Sequence, residues 1–258
     1  MATKAPVPKT KSGGLTIASI ALPSTGRSDQ LGNEVHNRVL QTIPDNEFEV
    51  LFPHLQFVEL PLHKTMHEPE DGFEYGYFLN AGLSSLVIET EDGRSVEVGI
   101  VGKEGFVGAP IAAGLNHSPY RALAQAAGSA FRIKAQVLEV NLPFMPDLRF
   151  KLNRYAHGQT LQVAQLAACN RLHPIDQRLA RWMLMCQDRL DSDLLPMTHE
   201  FFAEMLGSGR PSVSVAAAVL QQGGAIQYAR GTVKIVERDS LRAASCECYE
   251  VMQAYNNW

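Results

Sequence analysis

At 258 residues, 45% hydrophobic and 19% charged, the chain has room for one large domain or two modest ones and enough apolar mass for a core. Its formal net charge of −4 and pI near 6.1 exclude a nucleic-acid footprint spread over the whole surface, so any such contact is local. No apolar run of about 18 residues and no continuous apolar stretch near the start is present, which predicts neither a membrane span nor a signal peptide and points to the cytoplasm.

Residues 1–33, rich in Lys, Thr, Ser, Pro and Gly, read as a flexible tail. Val39, Leu40, Ile43, Phe48, Leu51 and Leu55, interrupted by Pro44, predict two short helices. From Gln56 to Val140 short apolar runs alternate with glycine turns: 57–60, 77–79, 85–88 and 96–101. Glu91-Asp-Gly-Arg94 between the last two is a signal for a two-residue hairpin. Strands so closely spaced predict a compact antiparallel barrel or roll over 34–147. His63 and His67 lie in this strand-like region and are expected at the surface.

A helix is predicted from Leu148 to Asn170. Leu152, Ala156, Gln159, Val163 and Leu166, with Asn170, recur at spacings of three or four and predict a parallel dimerisation seam. The alternative is an amphipathic helix packed on its own sensor domain. Residues 148–172 thus form a dimerisation helix, with a hinge at Leu172-His173. Pro174 opens another helix to about Leu190, its apolar positions Ile175, Leu179, Trp182, Met183 and Cys186.

Residues 173–258 form the C-terminal unit. Thr198 can cap a helix bearing Phe201, Phe202, Met205 and Leu206. Gly207-Ser-Gly209 breaks it, and a second helix runs from Arg210 through Gln222 with Val213, Ala217 and Leu220 inward. Gly223-Gly224 stops that helix, and 226–228 and 232–236 form a small hairpin. Helix, glycine turn, helix, hairpin is the plan of a winged helix-turn-helix. Arg210, Ser212 and Ser214 occupy the start of the second helix. An arginine there can make paired bonds to guanine O6 and N7, while hydroxyls and free N–H groups suit phosphates. Arg230 and Lys234 on the hairpin could meet the flanking backbone. Lys plus Arg and Asp plus Glu each number eight over 171–240, so phosphate contacts should be few and salt dependence modest.

The four cysteines, Cys169, Cys186, Cys246 and Cys248, form no CxxC pair and read as reduced thiols. Cys246 and Cys248 could serve as a redox or metal handle, but are expected on a terminal helix of no special chemistry. No metal site, cofactor, nucleophile–base pair or nucleotide fingerprint is predicted, and the chain is not expected to be an enzyme.

Over residues 35–240 the sequence resembles the Crp–Fnr family of bacterial transcription regulators. The match rests on Thr198-His-Glu-Phe-Phe-Ala-Glu-Met-Leu-Gly207 followed by Gly209-Arg-Pro-Ser-Val-Ser214. The resemblance implies an α+β chain: an N-terminal antiparallel β-roll of the cyclic-nucleotide-binding kind, a long dimerisation helix and a C-terminal winged helix-turn-helix. It further implies a homodimer on an inverted-repeat operator, with RNA polymerase as a partner, Arg210 reading a guanine and Ser212 meeting phosphate. Pro211 and Val215 depart from the family pattern, which has a base-reading glutamate and a polar or basic residue there. In Val101-Gly-Lys-Glu-Gly-Phe-Val-Gly-Ala109, Ala109 replaces the family's ribose-binding glutamate. Tyr120 falls where its phosphate-binding arginine belongs, with Arg121 one step later. Control by cyclic AMP is therefore not expected. Tyr120, Arg121 and His117 are the polar candidates for another effector. The four N-terminal cysteines of the oxygen-sensing branch are missing. The competing expectation is a sensor or scaffold protein that has lost DNA binding.

Overall fold

The computed structural model describes residues 26–229 and 231–256. Two short helices, α1 (Arg38–Thr42) and α2 (Asp45–Leu51), open the chain, separated at Pro44 as its restricted backbone demands. Asn37 caps α1, its side chain accepting from the Val39 and Leu40 N–H groups. The predicted tail needs correction at its end. Residues 27–33 turn back on the fold because the Arg27 guanidinium bonds the Leu40 and Ile43 carbonyls, pairs with Asp45 and covers the Phe48 ring; residues 1–25 lie outside the described residues.

A six-stranded antiparallel sheet follows: β1 (Gln56–Leu60), β2 (Thr65–His67), β3 (Tyr75–Glu89), β4 (Ser95–Val101), β5 (Phe106–Val107) and β6 (Arg121–Lys134), in the order β1-β6-β3-β4, with β2 also on β6 and β5 on β3. The runs expected at 77–79 and 85–88 are one strand, β3, curved by register shifts between Leu79 and Ser84. The β3–β4 turn is longer than the two residues expected. The Thr90 and Arg94 backbones close it, and Gly93 takes the left-handed conformation. The inner face of this roll holds one core, built on Phe78, Phe106 and Phe131.

After α3 (Ala135–Asn141), the long helix α4 (Pro146–Leu172) begins under that core. Its free N-terminal amides are met from another element: buried Glu47 of α2 accepts from Asp147 N at 2.9 Å and Leu148 N at 2.8 Å. Then come α5 (Ile175–Leu190), β7 (Leu194–Leu195), α6 (His199–Met205), α7 (Arg210–Gln222), β8 (Ile226–Ala229) and β9 (Thr232–Ile235), with β7-β9-β8 a small antiparallel sheet. Two helices end the chain, α8 (Arg238–Ala244) and α9 (Cys248–Asn256). Among the described residues no helix is long and apolar enough to cross a membrane.

Beyond the break at Leu172-His173 the C-terminal unit packs on the roll. Leu83, Val87, Ile100 and Ala126 from the outer face of the roll share a single core with Trp182, Phe202 and Val213. Two buried carboxylates of the roll fix the register. Glu97 on β4 accepts from Trp182 Nε1 at 2.6 Å and from Ser85 Oγ at 2.5 Å. Glu104, in the turn after β4, accepts from Arg189 Nε at 2.8 Å. Trp182 and Arg189 are seven apart, two turns along one face of α5.

Burial raises the Glu97 carboxyl from its ordinary 4.5 to about 7, against the opposing pull of its two hydrogen-bond donors and of Arg181 and Arg189. A carboxyl with a raised folded value adds stability that is full below about pH 4.5 and lost as pH rises through about 7. Glu97→Gln should remove this component. Denaturant unfolding should show the wild type losing, across that window, on the order of 3 kcal/mol more than the variant; parallel pH profiles would mean that Glu97 is not buried in protonated form.

Candidate nucleic-acid interface

Thr198 caps α6 as its sequence position predicts, its Oγ1 accepting from Phe201 N at 3.2 Å. The helix then ends in a Schellman turn: Ser208 N donates to Ala203 O and Gly207 N to Glu204 O. Gly207 stands at φ +54, where a side chain would be strained, and its Cα face abuts Val96 of β4. Ser95 Oγ donates to Glu204 Oε1 at 2.7 Å beside it. The glycine turn therefore both starts α7 and seats it on the roll.

On α7, Val213, Ala216, Ala217 and Leu220 are buried and pack inward. The opposite face carries Arg210, Pro211, Ser212, Val215 and Val219 into solvent, with Val215 66% and Val219 51% exposed. Arg210 is exposed and lies 3.5 Å from Glu200 Oε2, an ion pair of a kind worth about 0–1 kcal/mol. Gly209 caps the helix without a side-chain bond, so first-turn amides face outward.

Ser214 requires a correction. It is half-buried, turned toward α6, with Oγ 3.1 Å from His199 Nδ1. The helical period places it between the inward and outward faces, and its hydroxyl is used inside the motif. His199 is the residue that sequence reasoning passed over. Its ring lies against Tyr228 of β8, centroids 4.1 Å apart, and so ties α6, α7 and the hairpin together. Burial and the Arg210 charge lower its pKa. Lys234 is exposed on β9, opposite Gln227; Arg230 lies outside the described residues.

In the roll, the effector candidates are not brought together. Arg121 is held outside the core by two carboxylates, Glu68 Oε2 at 2.6 Å and Glu89 Oε2 at 3.4 Å, so its charge is already answered. His117 sits in an exposed loop, 2.7 Å from Asn116 Oδ1 and 3.8 Å from Glu70 Oε2. Tyr120 alone packs on the inner core, beside His67 with ring centroids 5.3 Å apart. His67, expected at the surface, is buried against Phe73 and Tyr120, and neither ring nitrogen has a partner among the described residues. Burial lowers its pKa to about 4, leaving a neutral imidazole with a free acceptor. Ala109 is buried and offers a ligand no oxygen beyond its backbone.

The predicted seam of α4 is divided. Leu152 is 0% exposed inside the roll core and cannot meet a partner. Ala156 packs on that core too, Leu166 packs on the second core, and Gln159 donates to Tyr155 Oη at 2.8 Å. Val163, 42% exposed, and Asn170 are the members left in solvent. The helix meets its own chain on this side because Leu148, Leu152, Tyr155, Gln162 and Cys169 form its buried stripe.

Residues 177–244 match the Crp-like helix-turn-helix domain. About three quarters to four fifths of the chain shares the fold of solved proteins. A transcriptional regulator of the crp/fnr family from Eubacterium rectale superposes with TM-score 0.64 at 15% identity, over 81% of this chain and 98% of that one. FixK2 from Bradyrhizobium japonicum gives 0.63 at 18%, over 74% and 98%. The c-di-GMP responsive global regulator CLP of Xanthomonas campestris gives 0.62 at 16%, over 75% and 100%. No curated protein sequence matches the chain.

Proposed function

Starting from a Crp-like helix-turn-helix domain carried on the Crp/Fnr fold, we propose that this chain is a homodimeric transcription regulator that reads an inverted-repeat operator and does not respond to cyclic AMP. The observation that carries the reading is the start of α7: exposed Arg210 and Ser212 on an uncapped helix end, held forward by the Schellman turn. Arg210 needs to leave only a weak surface pair to bond a guanine edge. Pro211, Val215 and Val219 offer no hydrogen bonds, and an apolar side chain in the major groove suits the thymine methyl. The half-site in this reading is one guanine followed by thymine-rich steps. Thr198, Ser212 and Lys234 supply phosphate contacts, and Ser214 does not.

Two copies pair through the side of α4 turned away from its own chain. There Thr160, Ala164, Ala167 and Ala168 are exposed, Leu161 half-exposed, and Val163 stands at the edge. Small side chains let two helices approach closely, and this face replaces the seam through Leu152 and Leu166. Against cyclic AMP stand Ala109 in place of a ribose acceptor and an Arg121 already paired to Glu68 and Glu89. Among the described residues, Tyr120, His67 and the unpartnered Ser84 and Gln125 are polar groups the roll offers a ligand. RNA polymerase is the further partner this role requires.

Sedimentation velocity should find Ala164→Glu with Ala168→Glu monomeric and folded, and Gln159→Glu dimeric; a dimeric double variant means that another face pairs. Gel-shift titrations should find half-sites centred about 34–36 Å apart. Arg210→Ala should cost roughly 1–3 kcal/mol at one base position, while Lys234→Ala weakens all sequences alike and added cyclic AMP changes neither. An Arg210→Ala loss equal on every sequence would remove Arg210 from the readout.

A further inference from the structure

Four side chains from distant parts of the chain converge where α4 ends. Cys169 lies in the last turn of α4 and His173 at its C-cap, four residues on and therefore on the same face. Cys246 lies in the turn between α8 and α9, and Cys248 begins α9. The three sulfurs and one ring nitrogen all lie within 4.8 Å of one another. Cys169 Sγ is 3.5 Å from Cys246 Sγ, and Cys248 Sγ is 3.5 Å from His173 Nδ1. A tetrahedral zinc with Zn–S near 2.3 Å and Zn–N near 2.05 Å sets its ligands about 3.8 Å (S···S) and about 3.6 Å (S···N) apart. The observed separations are close to that spacing and far from the roughly 2.05 Å of a disulfide.

We propose that Cys169, His173, Cys246 and Cys248 bind one thiophilic divalent ion, zinc by its chemistry, and that this ion locks the C-terminal helix onto the joint between α4 and α5. The surroundings are those of a ligand set. His173 Nε2 is 3.3 Å from Glu247 Oε1, so the carboxylate holds the proton on Nε2 and leaves the Nδ1 lone pair aimed at the sulfurs, the usual outer partner of a metal-binding histidine. Gln165 Nε2 donates to Cys248 Sγ at 3.1 Å. Binding sends three thiol protons to solvent, and three thiolates with neutral imidazole around a divalent ion leave a net charge of −1. Arg178 and Arg181 stand within electrostatic reach of Cys169. Arg181 is buried, with only the Met185 and Met252 sulfurs accepting from its Nη1, and neither arginine's Nε has a partner among the described residues. An anionic metal centre would add counter-charge beside the buried Arg181 and the half-buried Arg178.

The placement gives the ion a mechanical role. From Cys248, α9 runs back along α4 to Gly158, beside which the Tyr255 carbonyl lies. The matched helix-turn-helix domain ends at residue 244, so Cys246 and Cys248 lie on an addition to it. An ion held by both ends would make the angle between α4 and α5 depend on metal. This site stands on its own geometry and does not depend on the DNA-binding reading.

The test uses the full chain purified under reducing conditions. Metal analysis should find one zinc per chain. Replacement by cobalt should give the visible absorption of a tetrahedral ion, with thiolate charge-transfer bands in the near ultraviolet. A chelator should lower the melting temperature by several degrees, and added zinc should restore it. Cys248→Ser should lose the ion and the thermal response, whereas Cys186→Ser, buried elsewhere, should keep both. Wild-type protein that takes up no metal at micromolar zinc, with an unchanged melting temperature, would overturn the proposal. So would a Cys169–Cys246 disulfide found by mass spectrometry in protein kept reduced.

Discussion

The arrangement rests on two carboxylates that the roll holds out of water and presents to α5. Glu97 receives the Trp182 indole N–H, and Glu104 receives the Arg189 guanidinium. A carboxyl group deprived of solvent, ionised or protonated, demands its partner in one geometry only, since a misplaced donor leaves it unsatisfied at a cost of about 1–3 kcal/mol or more. The apolar surface around it is tolerant by comparison. Leu83, Val87 and Ile100 would pack against many helix orientations, and the two polar contacts select one. The α5 helix is accordingly part of both units, its apolar positions in the shared core and its Trp182 and Arg189 bonded to the roll.

That constraint propagates to the surface. With α5 fixed, α6 and α7 pack on it, Gly207 meets Val96, and the start of α7 is turned outward. His199 then clamps the hairpin through Tyr228 and takes up the Ser214 hydroxyl, so the outward face is left to Arg210, Pro211, Ser212, Val215 and Val219. The roll meets the C-terminal unit through β3, β4, β6 and the turn at Glu104, so these contacts couple the two. The proposed ion at the other end of α5 acts on the same helix through the α4 joint, giving one lever two points of control.

The helix-turn-helix was legible in the sequence because its determinants are local. A threonine cap, a glycine forced into the left-handed region and a two-glycine stop each act within a few residues. What was not legible depends on partners far along the chain. Leu152 matched a dimer seam by spacing, yet spacing cannot say whether a helix face meets a second copy or the chain's own roll, and here the roll wins from Leu148 to Tyr155. Arg121 was a candidate anion ligand until Glu68 and Glu89 were seen to flank it. His67 looked superficial beside its prolines, but Phe73 and Tyr120 cover it. The cysteines carried no motif because 77 residues separate Cys169 from Cys246, and only the return of α9 along α4 joins them. Glu97 and Glu104 read as solvated charge, as most glutamates are.

The central claim is that the roll and the helix-turn-helix unit form one cooperative structure through α5. Differential scanning calorimetry of the full chain measures this directly. A single unfolding transition is expected, with calorimetric and van't Hoff enthalpies equal, and disrupting the Glu104–Arg189 pair with Arg189→Ala should lower it as a whole. Two separate transitions in the wild type, or a variant in which only one unit is destabilised, would contradict the account.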